Sequence, residues 1–466
     1  MSLQLEALQT NMDSFFLLVM SCIIFLMQAG FAFLEAGSVR AKNTTNILLK
    51  NVLDVCIGAV AYWAVGYAFA FGGQANAFIG YRYFFFEGLQ SENLSNFFFH
   101  FVFAATAATI VSGAMAERTE FGAYFIYSSA ITGVIYPIVT HWAWSAEGWL
   151  ANGPNGLAYQ DFAGSGVVHC VGGTAALVGA AILGPRIGRY DENGKSHPLQ
   201  GHTVPMTALG GFILFFGFFA FNGGSQASIS AEGDGEIVAL AIVNTIISAA
   251  FSALIAMVIK RVVYKGSYWS LLTTINGGLT GMVAICAGCN TVYPWGAAAI
   301  GAVSGLTFIA WSSLMEKVKV DDPLDAVAVH LGGGLWGVLS APIFARDTGV
   351  VFSFSAEAWE AFGWNLLGGM VIIIWAAVTS LILFGVMHCA RILRVSPEIE
   401  VKGLDIPKHG EPAYPMASYG SGWEEQGMSN GVPAGHQSHT NAAFNDQEAI
   451  IRGKYTQKDG ETELPL

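Results

Sequence analysis

Asp161-Phe-Ala-Gly-Ser-Gly-Val-Val-His169-Cys-Val-Gly-Gly is answered later in the chain by Asp322-Pro-Leu-Asp-Ala-Val-Ala-Val-His330-Leu-Gly-Gly-Gly. In each stretch a histidine follows an aspartate by eight residues, sits among apolar side chains and is trailed by glycines. An ionisable group within a membrane is costly and tends to face a pathway, a cavity or a partner. A single histidine of this kind could be an ordinary contact between helices. Two with the same flanks argue for one site built twice.

The surrounding composition fixes the solvent. Of 466 residues, 53% are hydrophobic and only 12% charged, and the mean hydropathy is +0.51, too apolar and too poor in charge to cover a water-soluble globule. Runs of about 20 residues able to cross roughly 30 Å of hydrocarbon predict eleven spans, near 12–34, 52–71, 97–115, 122–142, 163–184, 203–222, 237–259, 269–287, 293–315, 325–345 and 361–389. The fold class expected is an all-α polytopic membrane protein, its termini on opposite sides.

Lysine and arginine positions give an independent reading, because cytoplasmic loops are enriched in them. Arg40, Lys42 and Lys50, then Arg118, then Arg186, Arg189 and Lys195, then Lys260, Arg261 and Lys265, then Lys317 and Lys319 mark alternate connections; those between carry one such residue or none. Arg391 and Arg394 open the tail. The amino terminus is therefore expected outside and the carboxyl terminus in the cytoplasm. The net charge of −12 gives no nucleic-acid footprint.

Placing the two histidine stretches in spans five and ten divides the first ten spans into two sets of five, and a repeated odd-numbered unit must enter the membrane in opposite orientations: a 5+5 inverted repeat, with one extra helix. In such folds the transported species lies near the midplane, where the repeats meet. Gly172, Gly173, Gly332, Gly333 and Gly334 are expected to let helices approach closely. Residues 1–395 form the membrane domain, and 396–466 a cytoplasmic tail, largely disordered after about 424, where Pro, Gly, Ser, Asn and charges replace the apolar period. The six cysteines fall in or beside spans, so no disulfide framework is expected, and Cys286-Ala-Gly-Cys289 lacks the second pair a zinc site needs. No cofactor, no metal site and no nucleophile–base–orienter set is predicted; the chain does not read as an enzyme.

A lumen lined by Phe, Val and Ile with two neutral histidines offers no ring of carboxylates to replace the hydration shell of K⁺ or a metal ion. A weak acid able to discard its charge fits better. Ammonium is one: amine pKa values stand near ~10.4, as in lysine, and desolvation lowers such values by up to about 3–5 units.

Several stretches then resemble a known family. Phe33-Leu-Glu35-Ala-Gly-Ser-Val-Arg40-Ala-Lys-Asn43, Gly113-Ala-Met-Ala-Glu117-Arg118, the two aspartate–histidine stretches and Phe221-Asn-Gly-Gly-Ser225 are similar, in order over about residues 12–412, to the ammonium transporter (Amt/Mep/Rh) family, in its Amt branch. The resemblance implies ammonium or ammonia as substrate, with methylammonium as an analogue, contact with membrane lipid, a plasma-membrane homotrimer with one pore per subunit, and no nucleic acid. Residue by residue it implies a recruitment site at Phe99, Trp144 and Ser225, a stacked gate of Phe103 and Phe221, twin pore histidines His169 and His330, and Asp161 supporting the cation site. Asp322 is the symmetry counterpart of Asp161 and is read as structural. Where the family often has Trp, this chain has Phe218, a variant position in the pore. Gly403-Leu-Asp-Ile-Pro407-Lys-His-Gly410 resembles a regulatory stretch of the family; Pro407 replaces a phosphorylatable Thr of some plant members, which excludes phosphate regulation there.

The chemistry of these positions is consistent with that implication. An aromatic cup attracts a cation by about 0.5–2 kcal/mol, and a serine hydroxyl oxygen accepts a hydrogen bond from an N–H that K⁺ does not have. A carboxylate before a helix caps its backbone N–H groups and favours a nearby cation, and both readings stand open for Asp161. Paired imidazoles share one hydrogen bond when neutral and resist double protonation. Glu35 and Arg40 are read as fixing the inner end of span one. The expected activity is recruitment of NH4⁺, deprotonation at the phenyl gate and passage of NH3 past the histidines; the alternatives are an ammonium sensor and an electroneutral gas channel of the Rh type.

Overall fold

A computed structural model describes residues 2–73, 76–263, 268–415 and 419. Among these, ten helices are long and apolar enough to cross a membrane. In chain order, with one shorter helix, they are α1 (Gln4–Ser38), α2 (Ala41–Phe71), α3 (Ser91–Ala114), α4 (Phe121–Trp144), α5 (Ser165–Leu183), α6 (Val204–Gly224), α7 (Asp234–Val263), the 15-residue α8 (Leu271–Ile285), α9 (Pro294–Lys317), α10 (Val327–Phe344) and α11 (Ala356–Cys389). The protein is all-α and multi-pass. One compact unit runs from Met1 to Tyr414; the disorder expected after 424 lies outside the described residues.

The helices sort by what covers them. α3, α5 and α10 are buried over most of their length, whereas α11 and α7 turn most of their surface outward, with Val258, Ile374, Leu381 and Val386 among the exposed apolar side chains. Hydrocarbon is the medium in which such faces cost nothing. Core helices are held together through small residues. A Cβ on Gly173 would lie 2.8 Å from the α-carbon of Leu331 and 2.9 Å from the carbonyl carbon of His330. One on Gly172 would lie 2.9 Å from the Ala107 carbonyl oxygen, and one on Gly333 3.1 Å from that of Thr280. Gly172, Gly173 and Gly333 thus bring backbones into direct contact, as the sequence predicts, whereas a Cβ on Gly332 would meet the Trp311 indole.

One helix boundary differs from the sequence reading. The second apolar run was expected to begin at 52, leaving Lys50 in a loop as a topology-marking charge. The helix begins at Ala41, and Lys50 is fully buried within it, its ammonium 3.8 Å from the centre of the Tyr124 ring. Cation–π attraction and neighbouring carboxylates let a lysine remain where the hydropathy pattern assigns a loop.

At one end of the bundle the connections are tied by buried ions. Glu117, at the α3–α4 turn in a left-handed conformation (φ 71°), pairs with Arg40 at 2.7 Å and with Arg186 at 3.1 Å. Arg186 also grips Asp321 through two bonds, Nε to Oδ2 at 2.8 Å and Nη2 to Oδ1 at 3.0 Å. Arg118 is fully buried and donates to the carbonyls of Ala116, Gly184 and Asp321 at 2.7–2.9 Å. The segment after α11 docks on the same end: Asp405 accepts from the Asn46 N–H at 2.9 Å, Leu404 N–H donates to Asn43 at 3.0 Å, and Lys408 pairs with Glu120 at 2.7 Å.

This network makes stability acid-sensitive. Burial alone would raise the Asp321 carboxyl, but the Arg186 guanidinium and the positive charge of Arg118 hold it down at about 2, from an ordinary 3.8; Glu117 is likewise lowered, the pull of Arg186 and Arg40 overcoming burial. A depressed carboxylate stabilises fully above its unfolded value and ceases to do so as pH falls through the folded one. Asp321 alone is expected to forfeit about 2 kcal/mol between pH 4 and 2, measured as a drop in the unfolding midpoint of detergent-solubilised protein, and Asp321→Asn should flatten that dependence.

Candidate functional site

The two histidines expected to share a site do so. His169 Nδ1 lies 3.1 Å from His330 Nδ1, with ring centres 5.2 Å apart and planes 17° from parallel, so the imidazoles meet edge to edge. One nitrogen must hold the hydrogen and the other receive it. Both rings are buried, and His169 Nε2 has no hydrogen-bond partner among the described residues.

Matched local backbones deliver them. Each histidine sits in a π-helical turn at the start of its helix, Ser165–Cys170 in one case and Val327–Gly332 in the other. Wider turns of this kind are rare and frequent at functional sites. Three residues after each aspartate the chain takes a left-handed conformation, at Gly164 (φ 98°) and at Asp325 (φ 58°). Asp161 then accepts hydrogen bonds from the N–H groups of Gly164, Gly166 and Val167 at 2.9–3.1 Å. Asp322 accepts from Val327 at 2.7 Å. Both aspartates cap the turn that carries their histidine.

Aromatic side chains stack on one side of this pair. Phe221 lies 5.6 Å from His169 and 4.0 Å from Phe103, the two phenyl planes only 20° apart. Beyond them Phe99 is 4.7 Å and Trp144 5.9 Å from Phe103. The Trp144 indole donates to the backbone carbonyl of Asp161 at 2.8 Å, which joins the aromatic group to the capped loop. Ser225 stands one turn along α6 from Phe221 and donates to its carbonyl at 2.8 Å, leaving the hydroxyl oxygen able to accept. Trp144, Asp161 and Phe162 also line an open cavity of 330 Å³. Phe218, the variant position, lies nearly parallel to His169 at 5.7 Å, continuing the apolar wall past the imidazole.

Sequence reasoning missed His100. Its ring is 4.2 Å from Phe71, 5.5 Å from Phe99 and 5.9 Å from Trp144. Its signal was available: a single polar residue inside Phe97-Phe98-Phe99-His100-Phe101. Glu35 and Arg40 part company, Arg40 joining Glu117 while Glu35 accepts from Asn51 at 2.8 Å and from the Ser112 hydroxyl, tying α1 to α2 and α3. Cys286 and Cys289 are buried and free, and among the described residues no three His, Cys, Asp or Glu side chains gather as a metal cage would require.

Stacked phenyl rings lie between Trp144 and the paired imidazoles, an apolar surround that gives a hydrated ion no ring of carboxylates and sets groups able to exchange a proton near the capped Asp161. Comparison with known proteins agrees. The family model described as the Ammonium Transporter Family matches residues 15–414. "Putative ammonium transporter 1" of Caenorhabditis elegans is 49% identical over 446 residues, covering 91% of this chain and 83% of that protein, and "Ammonium transporter 1 member 2" of Oryza sativa subsp. japonica is 42% identical over 408 residues, 81% of each. Among solved structures, a "Sensor Amt Protein" superposes with a TM-score of 0.80 at 36% identity over 87% of this chain and all of that one. On these grounds the chain belongs to the Ammonium Transporter Family, in its Amt branch.

Proposed function

We propose that the protein moves ammonium across the plasma membrane as a recruited cation that sheds its proton at the phenyl stack and passes the histidines as NH3. The observation that carries this reading is the unbroken sequence of Trp144 and Phe99, then Phe103 over Phe221, then His169 against His330. Phe99, Trp144 and Ser225 recruit, Phe103 and Phe221 gate, and Asp161 holds the loop while its charge favours the cation. Asp322 is structural, and Phe218 narrows the lower pore.

The same reading takes α1 to α11 as eleven spans, the short α8 included, and the first ten as two inverted sets of five. It is supported by the shared construction of the halves: an aspartate, a left-handed residue three positions on and a π-turn histidine. Arg40, Arg118 and Arg186 gather at one end with the docked segment 397–414, which supports placing that end in the cytoplasm and the amino terminus outside. Residues 1–395 are taken as the transport domain and 396–466 as its tail, and the working assembly as a homotrimer.

Expression in cells deficient in ammonium uptake, with labelled methylammonium as tracer, tests the activity; unchanged uptake would refute it. Trp144→Ala is expected to raise the half-saturating concentration between about 2-fold and 30-fold, as a cation–π contact of roughly 0.5–2 kcal/mol implies, with a smaller effect on maximal flux. A sensing role is the second reading, suggested by the similarity to a "Sensor Amt Protein". It predicts that truncation after residue 424 leaves uptake intact and alters the cell's response to ammonium.

A further inference from the structure

Beyond the histidines lies a cavity to which the transport scheme assigns no chemistry. Its volume is about 30 Å³, room for one small molecule such as water. His330 forms part of its wall and Glu35 another, with Thr109, Leu214, Phe218 and Asn276 between them. Glu35 is 1% exposed, and each carboxylate oxygen accepts one hydrogen bond, from Ser112 and from Asn51.

Behind Glu35 two more ionisable side chains are wholly enclosed. Lys50 lies one residue before Asn51 on α2, and Asp54 one turn further along, beside the Ser128 hydroxyl. Both are 0% exposed, and the Lys50 ammonium makes no hydrogen bond among the described residues, resting instead over the Tyr124 ring. Lys50 attracts both carboxyls. With all three ionised, these side chains sum to one negative charge inside a low-dielectric bundle, where Lys50 also feels the buried Arg118, and burying an unpaired carboxylate is costly. A proton is the smallest neutraliser, and the cavity gives it access to one carboxyl only.

We infer that Glu35 is the proton-exchange residue on the far side of the histidine pair, where ammonia regains the proton that ammonium released at the phenyl stack. The inference rests on the transport reading above. In the first step an N–H bond of the incoming ammonium breaks as one forms on His169 Nε2, which has no partner among the described residues, and the shared hydrogen passes from His169 Nδ1 to His330 Nδ1. The other N–H bond of His330 breaks as an O–H bond forms on the Glu35 carboxylate across the cavity they both line, so both imidazoles stay neutral. In the second, that O–H bond breaks as an N–H bond forms on ammonia, which leaves as NH4⁺ and restores the carboxylate. The proton comes from the incoming ammonium, so one positive charge crosses with each nitrogen. Lys50 and Asp54 are positioning residues, Lys50 keeping the Glu35 carboxylate available and Asp54 balancing Lys50.

The test uses full-length protein in proteoliposomes, with current and ammonium accumulation recorded together. The wild type should move about one elementary charge per nitrogen. Glu35→Gln, which leaves Lys50 balanced by Asp54, is expected to reduce charge moved per nitrogen by roughly 10²-fold, the usual worth of a placed proton donor, and Glu35→Asp to restore most of it. Loss of both fluxes in Glu35→Gln with recovery of both in Glu35→Asp would also support the assignment. Wild-type current in Glu35→Gln, equal loss in both variants, or wild-type nitrogen flux without current would overturn it. Absence of any wild-type nitrogen flux would instead refute the transport reading itself.

Discussion

Glu117→Gln is expected to destabilise the solubilised protein by about 3–5 kcal/mol, the cost of removing one member of a buried ion pair and leaving its partners charged. Glu117 is fully enclosed between Arg40 and Arg186, with side-chain exposures of 0%, 24% and 4%. Glutamine keeps the volume and one acceptor but not the charge, so Arg186 would depend on Asp321 alone. Four connections meet at this cluster, those carrying Arg40, Glu117, Arg186 and Asp321. The loss would therefore spread through the whole end of the bundle. Glu120→Gln is the control: its partner Lys408 and Glu120 itself are both partly exposed, and such pairs contribute about 0–1 kcal/mol. Unfolding midpoints measured side by side in the same detergent check this. A Glu117→Gln midpoint no lower than that of Glu120→Gln would mean that the network does not hold the loops.

Gly173→Val is expected to abolish most transport, on the order of 10²-fold, while leaving the assembled protein in the membrane. The backbone of Leu331 lies where the new Cβ would stand, so α5 and the π-turn of α10 must separate. Because those same elements present His169 and His330, a separation of even 1 Å opens their 3.1 Å contact, and misplacements of that size cost functional groups about 10²-fold. Gly385→Val is the matched control, since a Cβ there meets nothing within 4 Å. Tracer uptake normalised to surface protein reads the outcome; equal uptake by the two variants would show that the histidine contact tolerates displacement.

What could be read from the sequence followed from side-chain chemistry. Apolar runs located the helices, because hydrocarbon solvent selects for them regardless of packing. His169 and His330 were paired by their repeated flanks, and the glycines behind them marked where backbones touch. What escaped was set by backbone and by company. Nothing in Val327-Ala-Val-His-Leu-Gly332 distinguishes a π-turn from an α-turn, since the two differ in hydrogen-bond register rather than residue type. Lys50 looked like a loop charge because hydropathy weighs a lysine without its neighbours. Asp54 is one helical turn along in sequence, but only the fold brings Glu35 and the Tyr124 ring around Lys50. His100 was passed over because a run of phenylalanines reads as packing.

The widened turns carry an implication for how such a channel is aimed. An α-helix advances about 100° per residue, so deleting one residue from Ser165–Cys170 or Val327–Gly332 would rewind that turn and swing its imidazole by about that angle, away from the opposite ring. Substitution scans, which preserve residue number, would pass over this dependence. The heading of each imidazole is thus stored in a count of residues, and single-residue deletions, usually discarded as uninformative, are the changes to which it is most exposed.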